Sequence, residues 1–264
     1  MLDTTAAEAF EKFVVPATTR PLAKELVRLA APRSGERVLD LACGTGIVIR
    51  FAAPLVAPGG AADGLDSDPA MIAVARSIVR CPDGVTLSWH CADAQRMPFE
   101  DAAFDVALCL MGLQYMPDSV AALSEMRRVI KADGRLVLAV WISLEDCKGP
   151  HAIAQALSRQ NIDPTAILKA YSSHGADRLR GLAQEAGFAH AETFTASATA
   201  HFPSIRQFVE GFAAGSISAR AALSQLADSQ RDAFVEDLER TLRAYVYDDG
   251  VKLPLGYLTL VAHP

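Results

Sequence analysis

The sequence predicts an α/β fold, a doubly wound and mostly parallel sheet with helices on both faces and a helical cap. Between residues 18 and 141, short apolar runs alternate with helix-length segments of about ten residues, which is typical of βαβ units. Right-handed crossovers between such units place helices on both faces of the sheet. After residue 141 the pattern changes to helices separated by polar loops, which predicts the cap.

The elements of the first half alternate regularly along the chain. Strands are predicted at Arg37–Leu41, Ala61–Leu65, Val85–His90, Phe104–Leu110 and Arg135–Trp141. Short apolar runs of this kind are typical of buried parallel strands. Helices are predicted at Thr18–Ala31, Gly46–Ala53, Pro69–Val79 and Ser119–Ile130, most of them closed by proline or glycine.

The second half is predicted to add helices at Asp177–Ala186, Pro203–Phe212 and Asp228–Tyr245, and strands at Phe188–Ala198 and Leu255–Ala262. No repeat, low-complexity tract or linker divides the chain. We therefore expect a single domain over residues 1–264. Its parts are a cofactor-binding core at 36–142, cap and substrate elements at 143–187 and 203–250, and N-terminal helices at 1–31.

Composition excludes several classes of protein. The 25 basic and 31 acidic residues give a net charge of −6, which argues against nucleic acid as the main partner. Five cysteines without a C-x-x-C pair suit a reducing cytoplasm. The acidic, amphipathic N-terminus is unlike a signal peptide, and no apolar run has the length of a membrane span. We expect a cytoplasmic protein without membrane partners, and either a monomer or a homodimer.

The first predicted strand runs into a glycine-rich turn with the sequence VLDLACGTG, residues 38–46. Gly44 and Gly46 let a ligand approach the backbone at the carboxyl end of the strand. A dinucleotide fingerprint needs a third glycine at position 49, where this chain has Ile49. Asp40 adds a negative charge that disfavours a phosphate, so the turn favours a cationic ligand such as an ammonium or a sulfonium.

Two further acids follow the next two predicted strands. Asp66 lies 20 residues after Gly46, where a carboxylate accepts the hydroxyls of a ribose. Asp93 can accept a hydrogen bond from the amine of an adenine, the N–H of Ala94 can donate to its ring, and Met71 can lie across its face. The three acids thus outline a ligand with a cationic end, a ribose and an adenine. S-adenosylmethionine has all three parts.

The chain also resembles the class I S-adenosylmethionine-dependent methyltransferases. The resemblance rests on VLDLACGTG, GLDSDPAMIAVAR, CADAQRMPFEDAAFDVALCLMGLQYMPD and ALSEMRRVIKADGRLVLAVW, which cover most of residues 36–142. The flanks FVVPATTRPLA, HFPSIRQFVEGF and LPLGYLTLVAHP resemble a bacterial group related to the ubiquinone/menaquinone-type enzymes. The resemblance implies a Rossmann-like sheet of seven strands with an antiparallel last strand. It also implies methyl transfer to an oxygen, nitrogen or carbon of a small molecule.

The resemblance assigns the cofactor site residue by residue. Around the methionine moiety it implies Asp40, Ala42, Cys43, Gly44 and Gly46. Along the adenosine it implies Asp66 and Ser67 at the ribose, Met71 on the adenine face, and Asp93 and Ala94 at the adenine edge. Leu110 matches the position under the sulfur. From their position alone, we expect Phe13 and Arg20 to close over the methionine carboxylate.

Catalysis needs alignment and exclusion of water, because the leaving group of a sulfonium is a neutral thioether. If the methyl acceptor loses a proton, a base or a hydrogen-bond acceptor has to lie nearby. The candidates are Gln114, Tyr115, His174 and His151. No metal is predicted, since His and acidic residues do not cluster at ligand spacing. Aromatic residues favour a flat or hydrophobic acceptor, and these are Trp141, Tyr171, Phe202, Phe208 and Phe212.

Three alternatives stay open at this point. A nicotinamide-dependent oxidoreductase would use the same kind of sheet, but position 49 argues against it. A binding module would hold the cofactor as a sensor or structural ligand without producing homocysteine. The fold is also compatible with a non-methylating reaction such as a cyclisation or isomerisation.

Overall fold

The computed structural model describes residues 2–171 and 175–264, apart from the side chain of Asp228. Within these residues the strands are β1 Arg37–Leu41, β2 Ala61–Asp66, β3 Thr86–Cys91, β4 Phe104–Leu110, β5 Ile130–Trp141, β6 His190–Phe202, β7 Val246–Tyr247 and β8 Gly250–His263. They form one sheet in the order β3-β2-β1-β4-β5-β8-β6, and the two-residue β7 pairs with β8 outside this path. The first five strands are parallel. Strand β8 is antiparallel to both of its neighbours, β5 and β6. The predicted fold class, including the antiparallel last strand, is confirmed.

Helices cover both faces of this sheet. They are α1 Thr5–Ala9, a π-helix Phe10–Thr19, α2 Arg20–Ala30, α3 Ile47–Ala52, α4 Pro69–Ile78, α5 Ser119–Val129, α6 Lys148–Arg159, α7 Thr165–Ala170, α8 Ala176–Glu185, α9 Ile205–Gly215, α10 Ile217–Leu223 and α11 Arg231–Thr241. Short 3₁₀ turns lie at Ala53–Val56, Leu113–Tyr115, Asp228–Gln230 and Arg243–Tyr245. No helix of the described ranges is both long and apolar enough to cross a bilayer.

Strand β5 is longer than the sequence predicts. It begins at Ile130 instead of Arg135, because Ile130 already pairs with Phe104. The register then shifts before Val106 pairs with Arg135, so the intervening residues form an irregular extended segment. The ammonium of Lys131 binds the Asp105 carboxylate at 2.6 Å across this irregularity.

The N-terminal helix also differs from the prediction, which starts it at Thr18. The structure has a continuous helical segment from Thr5, and the part over Phe10–Thr19 is a π-helix with Pro16 inside it. Proline has no N–H, and its ring clashes with the carbonyl four residues earlier in an α-helix. A wider turn is compatible with that constraint.

The sheet separates two apolar layers. Alternate residues of a strand face opposite sides, so Val106 and Leu108 contact one layer while Ala107 and Cys109 contact the other. The first layer contains α2, α3 and most of the helices after β5. The second contains α5 and α8, which pack against each other and the sheet. The carboxyl ends of β1, β2 and β4 remain open between α4 and the helices of the first layer.

Candidate functional site

Two adjoining cavities lie at the carboxyl edge of the parallel strands. The larger holds about 1050 Å³ of empty space and the smaller about 450 Å³, part of each open to solvent. They share walls formed by Ala42, Asp66, Ser67, Gly112 and Tyr115. Since α/β sheets bind ligands at this edge, the two cavities together are the candidate site.

The turn after β1 has the left-handed backbone that its sequence predicts. Gly44 and Gly46 have φ values of 53° and 83°, and Ala42 shares this region at 51°. A Cβ on Gly44 would meet only Phe10, at 3.6 Å, so the space above Gly44 is open to a ligand. A Cβ on Gly46 would lie 2.6 Å from the ring of Trp89. Gly44 therefore faces the larger cavity, whereas Gly46 serves the turn and its packing.

Asp66, at the end of β2, is fixed by backbone donors on both oxygens. Gly44 N donates to Oδ2 at 2.8 Å, and Asp68 N donates to Oδ1 at 2.9 Å. Burial raises the pKa of Asp66 despite these hydrogen bonds. The carboxylate lines both cavities, so it can accept hydrogen bonds from one ligand that extends through them.

The remaining adenosine candidates line the same walls. Asp93 and Ala94 lie in the smaller cavity, next to Asp66 and Ser67. Asp93 Oδ1 also accepts from Gln95 N at 2.8 Å, so this acid closes its own turn as well as facing the cavity. The larger cavity has Met71 on one side and, at the end of β4, Leu110.

Asp40 and Cys43 lie beneath the glycine turn and do not line either cavity. Asp40 is completely buried, and neither carboxylate oxygen has a hydrogen-bond partner. Burial, and then the charge of Asp66, raise the pKa of Asp40 well above its ordinary value. Burial also raises the pKa of the Cys43 thiol, so it is not a nucleophile at neutral pH.

The far part of the larger cavity is an aromatic chamber. Its rings are Trp141, Tyr171 and Phe212, whereas Phe10 lines the same cavity beside Gly44 of the turn. Trp141 and Tyr171 stack with centroids 5.5 Å apart and planes at 19°. Among the described lining residues, the charged ones are Asp66 and Asp68, both at the end of β2 rather than in the chamber. The chamber therefore suits a neutral, flat molecule.

Tyr115 lies at the junction of the two cavities. It follows β4 in the 3₁₀ turn, and 42% of the residue is exposed. Desolvation of its hydroxyl raises the pKa of Tyr115, and a hydrogen bond with Ser218 partly offsets this. Its phenol is therefore protonated at neutral pH and can donate a hydrogen bond.

Several sequence candidates lie away from the cavities. Phe13 is 38% exposed beside Lys12, and the guanidinium of Arg20 lies over the ring of Phe51 at 5.8 Å. Neither residue lines either cavity, so their closing over the cofactor stays a prediction that would require them to move. Gln114 lines neither cavity, and both of its amide atoms are buried without a partner.

His151 does not contribute to the walls of the two cavities either. It lies on α6, lines a separate open groove and pairs with Gln155 at 3.1 Å. His174 lies outside the residues that the structure describes. Among those that it does describe, no three His, Cys, Asp or Glu residues gather as a metal site.

Sequence reasoning missed the wall supplied by the N-terminal helix. Phe10, Val14, Thr18 and Thr19 all face the larger cavity. The spacing of four residues from Phe10 to Val14 to Thr18 was the available signal, since it marks one face of a helix. The chain after α9 adds Ser216 and Ile217, for which the sequence offered no signal.

Comparison with known proteins bears on this geometry. Residues 38–134 match the family model described as a methyltransferase domain. That range begins in β1 and includes the glycine turn, Asp66 and Asp93. Residues 38–134 are therefore similar to a methyltransferase domain, and we refer to this segment by that name below. The predicted resemblance to class I S-adenosylmethionine-dependent methyltransferases is confirmed for this segment.

A curated relative supports the same assignment over part of the chain. The chain is similar to 2-phytyl-1,4-naphtoquinone methyltransferase of Synechococcus elongatus, with 34% identity over 113 residues. The match covers 42% of this chain and 48% of that protein. The chain thus matches about half the length of this relative.

Solved structures extend the likeness in fold beyond the methyltransferase domain. Phosphoethanolamine N-methyltransferase 2 of Haemonchus contortus, in complex with S-adenosyl-L-methionine, is 20% identical with a TM-score of 0.58. It covers 99% of this chain, and the match covers 57% of that chain. The [4+2]-cyclase SpnF is 20% identical with a TM-score of 0.55, covering 92% of this chain and 80% of its own. At these identities the likeness concerns the fold.

Proposed function

We propose that this protein transfers a methyl group from S-adenosylmethionine to an oxygen, nitrogen or carbon of a small, neutral and largely aromatic acceptor. The observation that carries the proposal is the continuity of the two cavities. One end is lined by Asp66 and Asp93, and the other by the stacked Trp141 and Tyr171. The glycine turn, with Gly44 facing the cavity, lies between them.

The residues present fit the adenosine part of the cofactor. In this proposal Asp66 and Ser67 hold the ribose, Asp93 and the N–H of Ala94 hold the adenine edge, and Met71 covers the adenine face. Asp66 retains free lone pairs for hydroxyl donors, although each oxygen already accepts one backbone N–H. A carboxylate in that place accepts from hydroxyls and disfavours a phosphate.

The residues around the glycine turn fit the methionine part. Ala42 and Gly44 offer backbone at the cavity wall, and Leu110 lies across from them. Cys43 and Gly46 support the turn from below. Asp40 is a buried carboxyl without a partner, and a cation bound above the turn would stabilise its charged form. A positively charged ligand therefore fits this turn better than an anion does.

The acceptor is proposed to be neutral because of the charges that the chamber lacks. Among its described lining residues there is no cation to pair with a carboxylate or a phosphate. Burying an unpaired anion among Trp141, Tyr171 and Phe212 would be costly. The ring system of the phytyl-naphthoquinone named for the Synechococcus relative is flat, and such a chamber suits a ring of that kind.

The cofactor would supply an electrophilic methyl group on a sulfonium. The protein's part is to orient the acceptor and to exclude water, and the apolar rings of the chamber serve both purposes. The hydroxyl of Tyr115 can donate a hydrogen bond to an acceptor oxygen at the junction. His174 remains a proposal as a base, and Gln114 remains one as a hydrogen-bond acceptor that could act only if its amide turned toward the cavity.

The proposal treats the chain as a single domain. Residues 36–142 form its cofactor-binding core, and the helices of 143–187 and 203–250, with those of 1–31, enclose the acceptor, except that α8 packs on the sheet with α5. We also propose that the protein is cytoplasmic, that it is a monomer or a homodimer, and that it does not bind nucleic acid.

A calorimetric titration and an acceptor screen test the proposal. We expect the purified protein to bind S-adenosylmethionine and S-adenosylhomocysteine. We also expect it to release S-adenosylhomocysteine with neutral phenols, hydroxyquinones or indoles, and not with their carboxylate or phosphate derivatives. Absence of cofactor binding would overturn the proposal. Tight binding without product from any acceptor would instead support a binding module or a non-methylating enzyme.

A further inference from the structure

The carboxylate of Glu11 joins the N-terminal wall of the cavity to the glycine turn. Glu11 Oε2 accepts a hydrogen bond from Thr45 Oγ1 at 2.6 Å, and Thr45 lies between Gly44 and Gly46. Both oxygens of Glu11 also accept from Arg50, a residue of α3, at 2.9 Å each. We call Glu11, Thr45 and Arg50 the Glu11 cluster.

The cluster is shielded enough to contribute to stability. Thr45 is completely buried, and the side chains of Glu11 and Arg50 are only about a quarter exposed, at 24% and 25%. The bidentate carboxylate–guanidinium geometry is the strong form of an ion pair. Among the hydrogen bonds of the described residues, these are the ones that connect Phe10–Thr19 to the methyltransferase domain.

The π-helix that Glu11 holds forms one wall of the candidate cofactor site. Phe10, Val14, Thr18 and Thr19 line the larger cavity. Phe10, the neighbour of Glu11, lies between Gly44 of the turn and Gly215 of α9, whose absent Cβ leaves room for its backbone. A ligand bound on the glycine turn would therefore be covered by this helix. Among the described residues, the hydrogen bonds that attach the helix to the methyltransferase domain are those of the Glu11 cluster.

We propose that Glu11 is a positioning residue that holds the Phe10–Thr19 helix over the glycine turn and thereby sets the rate at which the cofactor enters and leaves. This inference rests on the proposed function, since it takes the ligand of that turn to be S-adenosylmethionine. The cluster holds the helix whether or not the cofactor is bound, because none of its three members lines a cavity. Weakening it favours the open helix in both states, so the association and dissociation rates both rise while Kd changes less.

The variants for the test are Glu11→Gln and Thr45→Val, singly and together. Glu8→Gln is the matched control, because Glu8 also accepts from a threonine hydroxyl, that of Thr4 at 2.7 Å, but within its own exposed helix. Stopped-flow binding and displacement of S-adenosylhomocysteine give both rates. Hydrogen exchange over residues 10–19, without ligand, reports opening of the helix independently of any cofactor.

We expect Glu11→Gln to accelerate cofactor dissociation about tenfold, as for the loss of a hydrogen bond to a charged group. We expect the two changes to combine less than additively, because both weaken contacts of the same Glu11 side chain. Exchange over 10–19 should rise in Glu11→Gln and not in Glu8→Gln. Unchanged rates and exchange in Glu11→Gln would overturn the inference while the proposed function stands. So would a higher Kd with unchanged exchange, since that result would make Glu11 a ligand contact.

Failure of the proposed function gives a different pattern. If the wild-type protein binds no S-adenosylhomocysteine, the assignment of the cofactor fails, and the hydrogen exchange still decides whether Glu11 holds the helix. A role in general stability alone would lower the melting temperature of Glu11→Gln and leave exchange over 10–19 no faster than over α2.

Discussion

Gly44 and Asp66, which lie 22 residues apart in the chain, are joined by a hydrogen bond of 2.8 Å from the Gly44 backbone nitrogen to Asp66 Oδ2. The bond ties the turn after β1 to the carboxyl end of β2. It orients the carboxylate along the wall shared by the two cavities. The glycine turn itself therefore sets the position of Asp66, the carboxylate proposed to bind the ribose.

Replacing Asp66 tests this arrangement directly. We expect Asp66→Ala to weaken S-adenosylhomocysteine binding by roughly 1–3 kcal/mol, because hydroxyl donors of the ligand lose a charged acceptor. Isothermal titration calorimetry measures the change. Asp83→Ala, at an exposed turn residue, is the control and should bind as the wild type does. Equal affinities in the two variants would remove Asp66 from the site.

Alanine substitutions at three glycines with positive φ distinguish effects on ligand binding from effects on folding. A Cβ at Gly35 meets nothing within 4 Å, so Gly35→Ala should cost only the backbone strain of about 1–2 kcal/mol. Gly46→Ala adds a clash with Trp89 and Val79 and should cost roughly 1–3 kcal/mol more. Chemical denaturation measures both. A Gly46→Ala protein as stable as Gly35→Ala would contradict the packing described for the turn.

Gly44→Ala is expected to fold and yet bind the cofactor poorly. Its Cβ has no close neighbour within the protein, with Phe10 at 3.6 Å, but it projects into the space above the turn. Stability should match that of Gly35→Ala, while affinity for S-adenosylhomocysteine falls about tenfold or more. Calorimetry on the two variants makes the comparison, and retained affinity would show that the ligand does not approach Gly44.

Asp40 makes stability depend on pH. Burial raises its pKa in the folded protein well above the 3.8 of an ordinary carboxyl. The unfolded chain therefore gives up this proton first, so stability is full below the ordinary pKa and declines as the pH rises through the folded-state pKa. Asp40→Asn removes this decline. We expect the variant to gain in thermal stability relative to the wild type as the pH rises, and a constant difference across the range would refute the assignment.

Replacing Gln114 distinguishes two roles of its side chain, one that only lowers stability and one that takes part in the reaction. Its buried amide has no hydrogen-bond partner and lines no cavity, so Gln114→Met should raise the free energy of unfolding by about 1–3 kcal/mol. We expect kcat to stay within about twofold, with Tyr115→Phe as the comparison, because Tyr115 does line the cavities. A large loss of kcat in Gln114→Met, without loss of stability, would place its amide in the reaction.

Local sequence patterns were enough to predict the central sheet and to propose the residues that bind the cofactor. Strands of parallel sheets are buried on both faces, so they read as apolar runs, and the polar residues that follow them meet at one edge. That rule predicts that Asp66 and Asp93 lie at this edge of the sheet. It also located the turn at Gly44, whose backbone requires a left-handed φ. Local patterns sufficed here because each feature belongs to one strand and its own end.

The residues that line the rest of the cavity come together through the packing of distant parts of the chain. Trp141 and Tyr171 are 30 positions apart, and Phe10 comes from the opposite end of the chain. Their meeting depends on how helices after β5 and before β1 pack over the sheet, which no local period encodes. Phe10 and Val14 line the larger cavity and Phe13 and Arg20 do not, because the packing of this helical segment over the sheet decides which of its faces meets the cavity.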